Sequence, residues 1–194
     1  MTEPLPEGAT PLDADEADEL LPEHITTGGE LNAWEQANIL DAERWLLARR
    51  KRDVLTEAFV RELHRRMFGA TWRWAGEFRR TNKNIGVDWQ AIPVALRDVL
   101  ADGRCWIEHG TYALPSAAVR FHHRLVQVHC FPNGNGRHAR LCADALLTSH
   151  GAARMTWGAE LGDAGEARTR YIAALRAADG GDYGPLLAFV GLAT

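Results

Sequence analysis

Residues His129–Arg140, HCFPNGNGRHAR, constrain the fold more than any other stretch of the chain. Gly134-Asn135-Gly136 lets the backbone turn tightly and approach a ligand. The pattern from Arg137 to His150 is helical, so the turn feeds a helix N-terminus. Unpaired N–H groups and the positive end of the macrodipole meet there, and together they form an anion site. Arg137 and Arg140, at i and i+3, present forked donors on neighbouring faces, suited to a phosphate chain. His129, just before the turn, is placed to take a proton beside that anion. Each feature alone has a plainer reading: a surface turn, a structural histidine, a solvated face. In this order they describe a site that holds phosphate and activates a hydroxyl.

The surrounding pattern predicts an all-α domain carrying one small hairpin. Apolar residues recur at helical spacing through Glu35–Arg50, from Thr56 as N-cap to Phe68 with Gly69 as the stop, and through Ile92–Ile107. Ser116 can cap a helix ending near His129, and Arg137–His150 follows. Asp163 and Glu166 form a capping-box pattern opening a helix to Ala178, with a short one after Pro185. Phe78–Trp89 loses the helical period, and Asn84-Ile85-Gly86 reads as a turn between two short strands.

At 194 residues the chain is long enough to bury roughly 70% of its unfolded surface as one domain. A net charge of −4 excludes a global field for nucleic acid, so no direct nucleic acid binding is expected. No apolar run reaches the roughly 18 residues of a membrane span. Three cysteines without paired spacing suit a reducing cytoplasm. Residues 1–23 are acidic and Pro-rich, unlike a signal peptide, and read as a flexible arm before a single domain over 24–194.

His129, Phe131, Gly134, Asn135, Gly136, Arg137 and Arg140 resemble the Fic signature, HxFx(D/E)GNGRxxR. Trp74-Ala75-Gly76 with Phe78-Arg79 resembles the lead-in to that family's docking hairpin. The stretches HITTGGELNAWEQANI from His24 and TWGAELGDAGEARTRYIAALRAADGGDYGPLLAF from Thr156 are similar to the subgroup called mobile mystery protein B. The resemblance implies a Fic-type helical bundle with a small β-hairpin flap over 78–90. It also implies transfer of AMP from ATP to a Ser, Thr or Tyr hydroxyl of a target protein, with Mg²⁺ or Mn²⁺. In that reading His129 is the general base. Gly134, Asn135 and Gly136 cradle the α- and β-phosphates, Arg137 holds the β-phosphate and Arg140 the γ-phosphate. Lys83, Asn84, Ile85, Gly86 and Val87 dock the target, by strand addition at an open edge.

Two positions depart from the family pattern. Asn133 stands where the magnesium-binding residue is usually acidic, and an amide brings no charge to a hard cation. Cys130 stands where proline is common, a matter of packing. Within residues 24–33, Thr26 and Glu30 have the spacing of the family's inhibitory motif, whose glutamate pairs with the second signature arginine. Equally, Thr27-Gly28-Gly29-Glu30 is a capping box for the helix that follows. His122 and His123 beside His129 invite a metal reading, but no fourth ligand appears at recognisable spacing. Tyr171 and Tyr183 can stack on adenine or pack internally.

The competing reading is a nucleotide-binding module in which Asn133 has dampened catalysis, with another nucleotide donor or removal of AMP as variants of the same scaffold. The subgroup resemblance implies a toxin-like role and a helix-turn-helix partner, mobile mystery protein A. A homodimer is expected from the family alone.

Overall fold

The structure is a computed structural model and describes residues 10–48, 52–161 and 164–192. Eight α-helices follow in order among them: α1 (Ala14–Ala17), α2 (Gly28–Leu47), α3 (Glu57–Phe68), α4 (Ile92–Glu108), α5 (Leu114–Val128), α6 (Asn135–Ser149), α7 (Ala164–Asp179) and α8 (Gly184–Phe189). The helical prediction holds, with boundary differences that have local causes. α2 begins at Gly28 instead of Glu35, because Thr27 and Glu30 cap it reciprocally. α5 begins two residues before Ser116, with Pro115 in its first turn, where a missing N–H costs nothing. Thr56 caps α3 as expected, its hydroxyl accepting from the Phe59 N–H at 3.2 Å. The Asp163–Glu166 capping box falls outside the described residues.

α5 is the central helix, packed against α4 on one side and α6 on the other, while α2 and α3 pair beside α6. The core between them buries Val60, Leu63, Met67, Phe68, Leu96, Phe121, Phe131 and Leu146 almost completely. Each such side chain contributes roughly 1.5–3 kcal/mol by leaving water. A smaller cluster of Val119, Ala174, Ala178, Leu186 and Val190 attaches α7 and α8 to the back of α5. The α5–α6 junction therefore lies on a rigid platform. No described helix is long and apolar enough to cross a membrane.

The expected β-hairpin flap is absent as a hairpin: residues 78–88 form bends and irregular backbone without a strand. Arg79 is the cause. Its guanidinium donates to the carbonyls of Thr81 at 2.7 Å and of Val87, drawing the two arms of the flap onto one side chain instead of a ladder. Part of the stretch read as a flexible arm lies against the body. Residues 10–21 are strapped to the body: Leu20 bridges antiparallel to Trp72, and the Leu21 N–H donates to the Thr71 carbonyl at 2.8 Å. Residues 1–9 lie outside the described residues.

Candidate active site

His129 caps α5 in the left-handed region, φ 54° and ψ 61°, a conformation costing a non-glycine residue of order 1–3 kcal/mol. Arg79 holds it there, donating from Nε to the His129 carbonyl at 2.7 Å. His129 is only 4% exposed, and its Nε2 lies 3.1 Å from the Thr10 hydroxyl oxygen. Burial, and then the positive charge of Arg79, bring its pKa down to about 4. A neutral imidazole at neutral pH is thus built into the position.

The loop from Cys130 to Asn135 is braced from within. The Asn135 side chain accepts from the Phe131 N–H at 2.9 Å and donates to the Phe131 carbonyl at 2.8 Å. Asn135 therefore locks the turn with its side chain, which leaves backbone N–H groups at the start of α6 as the candidate anion donors. Gly134 has φ +78°, and a Cβ on it would lie 2.6 Å from the Phe68 ring, so only glycine fits. Phe131, 1% exposed, stacks on His64 with ring centroids 3.7 Å apart and anchors the loop in the core. His64 accepts from the Gly76 N–H through Nδ1 at 3.0 Å, so Nε2 carries the proton and donates to the Asn133 carbonyl at 3.1 Å. Cys130 is buried and its thiol pushed up to about 12, which leaves it no thiolate character.

Asn133 is committed on both sides of its amide. Oδ1 accepts from the Gly134 N–H at 2.6 Å, and Nδ2 donates to the Thr10 carbonyl at 3.0 Å. No cluster of three His, Cys, Asp or Glu side chains suited to a metal ion exists among the described residues. An uncharged and already bonded amide oxygen does not make a magnesium site on its own. His122 bonds the Tyr171 hydroxyl and His123 bridges Tyr183 and Asp179, so the three neighbouring histidines face three different partners.

The two signature arginines differ sharply. Arg137 donates to the Glu35 carboxylate at 2.6 Å and lies over the Phe68 ring. Glu35 is 5% exposed and also accepts from Trp72 Nε1 at 2.7 Å, so the pair fixes the Arg137 guanidinium through Nη1. Arg140 lies over the Tyr171 ring and has no ion-pair partner among the described residues. Glu30 does not approach it. The Glu30 carboxylate accepts from the N–H groups of Thr26 and Thr27 at 2.9 and 3.0 Å, and those bonds hold its pKa below the usual range. Of the two readings left open, the capping box is the one formed in this structure.

The flap lies directly on the site. A Cβ at Gly86 would stand 2.6 Å from the His129 Cβ. Lys83, expected at an open docking edge, is instead covered: its side chain is 2% exposed and pairs with Asp13 at 2.8 Å and with Glu16. Thr10, Glu35, His64 and Arg79 are the site residues that sequence reasoning did not single out. Glu35 and Arg79 sit inside stretches whose resemblance was noted, yet their partners lie 102 and 50 residues away.

Residues 54–147 match the model of the Fic/DOC family. Over 135 residues the chain is 32% identical to a Caenorhabditis briggsae protein named protein adenylyltransferase fic-1, covering 68% of this chain and 25% of that one. It is 30% identical to the protein adenylyltransferase Fic of Drosophila melanogaster over the same share of this chain and 26% of the fly protein. The chain thus spans about a quarter of the length of these curated relatives. Among solved structures, Caenorhabditis elegans Fic-1 superposes with a TM-score of 0.65 at 26% identity, covering 90% of this chain and 51% of that one. BepC from Bartonella tribocorum, solved with bound AMPPNP, superposes at 0.70 over 92% of this chain and 96% of its own, at 16% identity, a likeness of fold alone.

Proposed function

We propose that this chain, whose residues 54–147 match the Fic/DOC family model, is a protein adenylyltransferase, moving AMP from ATP to a hydroxyl of a target protein. The observation that carries this reading is the His129–Thr10 contact: an imidazole kept neutral by burial already faces an aliphatic hydroxyl at 3.1 Å. Its Nε2 is the atom that accepts the hydroxyl proton as the oxygen attacks the α-phosphorus. The first N–H groups of α6 stabilise charge on the phosphate oxygens. Arg137, held by Glu35, and Arg140, over the Tyr171 ring, grip the β- and γ-phosphates, and pyrophosphate leaves toward them. Mg²⁺ or Mn²⁺ bound to the nucleotide would supply charge neutralisation; the protein's own part is positioning and proton acceptance.

The relatives named protein adenylyltransferase support this reading. The subgroup likeness adds the proposals of a helix-turn-helix partner and a toxin-like role in the cytoplasm. A second reading, a nucleotide-binding module with little turnover, draws on the uncharged, doubly bonded Asn133. Incubating the wild type and His129→Ala with α-labelled ATP separates the two. Transfer to protein by the wild type alone supports adenylylation; ATP binding with no transfer by either supports the module.

A further inference from the structure

His64, fully buried on α3, lies beneath the anion loop with both ring nitrogens committed: Nδ1 accepts from the Gly76 N–H and Nε2 donates to the Asn133 carbonyl. Besides the stack with Phe131, the rings of Phe68 and Trp74 stand 4.8 and 6.1 Å away, centroid to centroid, so packing holds the imidazole in register. Gly76 is gripped from its other side as well, its carbonyl accepting from Arg61 Nε at 2.9 Å. Its φ is +83°, and a Cβ there would lie 2.8 Å from the Arg61 carbonyl oxygen, so only glycine fits. The fixed Gly76 N–H selects the tautomer of His64, because only the form with its proton on Nε2 can accept at Nδ1. What that proton holds is the Asn133–Gly134 peptide. In a trans peptide the carbonyl and the N–H point in opposite directions. With the Asn133 carbonyl drawn to His64, the Gly134 N–H points away from it. Its acceptor is Asn133 Oδ1, on an amide whose other end donates to the Thr10 carbonyl, and Thr10 stands against His129 Nε2. The Gly134 N–H is thus a donor on the His129 side of the loop. A flipped peptide would turn a carbonyl to that side and strand the buried His64 proton without an acceptor.

We propose that His64 is a positioning residue for phosphate binding: its Nε2–H latches the Asn133–Gly134 peptide so that the Gly134 N–H is available to a phosphate oxygen of the nucleotide. The identity of that ligand rests on the AMP-transfer reading above. A charged phosphate oxygen is a stronger acceptor than an amide, so it displaces the Asn133 side chain from this N–H while the Asn133 carbonyl stays on His64. The donor is oriented before the nucleotide arrives, and such preorganisation is what makes a backbone N–H effective on charge that develops at phosphorus. His64 touches neither nucleotide nor acceptor hydroxyl and acts through the peptide alone.

The test uses the full chain labelled with ¹⁵N at glycine and histidine, and two variants that divide the imidazole between them. His64→Gln sets an amide NH₂ near the place of Nε2 and keeps a donor for the Asn133 carbonyl. His64→Asn sets a carbonyl oxygen near the place of Nδ1 and keeps an acceptor for the Gly76 N–H. Both lose the ring stacked on Phe131, so a histidine that only packs would leave them equally impaired; circular dichroism checks that each folds. On addition of ATP and Mg²⁺, the Gly134 amide proton should move downfield in the wild type and in His64→Gln. In His64→Asn it should not move, while Gly136 still responds. ATP should bind His64→Asn about tenfold more weakly than His64→Gln, as expected for one hydrogen bond to a charged group. Equal affinities and equal Gly134 shifts in the two folded variants overturn the latch. Should a variant fail to fold, the wild type decides: histidine ¹⁵N shifts should show the His64 proton on Nε2, and a proton on Nδ1 overturns the proposal. A wild type in which Gly136 shifts with ATP and Gly134 does not also overturns it, and leaves the nucleotide reading standing. No shift at either glycine overturns both.

Discussion

At the scale of single residues, the site is a set of positions where one side-chain type fits. Gly134 combines a left-handed backbone with ring atoms of Phe68 at 2.6 Å from where a Cβ would sit. Gly134→Ala should cost about 1–3 kcal/mol, and it should weaken ATP binding because relief requires the loop to move. Thermal melts and ATP titration check both; an unchanged melt with normal ATP affinity would show that the loop yields freely. Asn133 carries a separate expectation. Asn133→Asp would set a carboxylate against the Thr10 carbonyl in place of an N–H donor, so residues 10–13 should lift from the loop and exchange amide hydrogens faster. The loop residues were legible in the sequence because turn glycines, cap and helix pattern are all local. Thr10 was not, since its partner is 119 residues away and a threonine in an acidic, Pro-rich stretch carries no pattern of its own.

At the scale of elements, α2 supports the anion site through one carboxylate. Glu35 ties Arg137 of α6 to Trp72 of the turn after α3. Glu35→Gln keeps an acceptor for the indole but removes the charge facing the guanidinium. Because Arg137 is about a third exposed, the loss should be modest for a buried pair, about 1–3 kcal/mol, with a larger proportional loss in ATP affinity as Arg137 swings free. An affinity loss no greater than in a distant mutant of equal stability would make Glu35 a packing residue only. The helices were readable from apolar period and caps, α3 with its Thr56 cap most directly. The flap was misread for a physical reason. Asn84-Ile85-Gly86 is turn chemistry, but the carbonyls at Thr81 and Val87 are taken by Arg79, and no local signal reveals that a single arginine claims both arms.

At the scale of the whole molecule, buried imidazoles set the pH response. His64, His122, His123, His129 and His138 are all held below their ordinary value, chiefly by burial. Their unfolded counterparts titrate near 6.5. Above that pH both states are neutral. As pH falls through it, the unfolded chain binds protons that the folded chain refuses, so stability declines by up to about 1.4 kcal/mol per pH unit for each histidine. The decline continues toward about pH 4, where His129 and His138 titrate in the folded state. Asp144, raised by burial, acts in the opposite sense but is a single group. Denaturant midpoints should therefore be flat above pH 7 and fall steeply between pH 6.5 and 5; a flat profile across that window would mean the histidines are hydrated.

The same neutral His129 underlies the central claim, and the position of the label in ATP tests it most directly. With ATP labelled separately at the α- and γ-phosphorus, adenylyl transfer predicts that the α-label becomes protein-bound while the γ-label leaves as pyrophosphate, and that both events vanish in His129→Ala. Protein-bound γ-label, or α-label transfer that survives in a folded His129→Ala, would contradict the account.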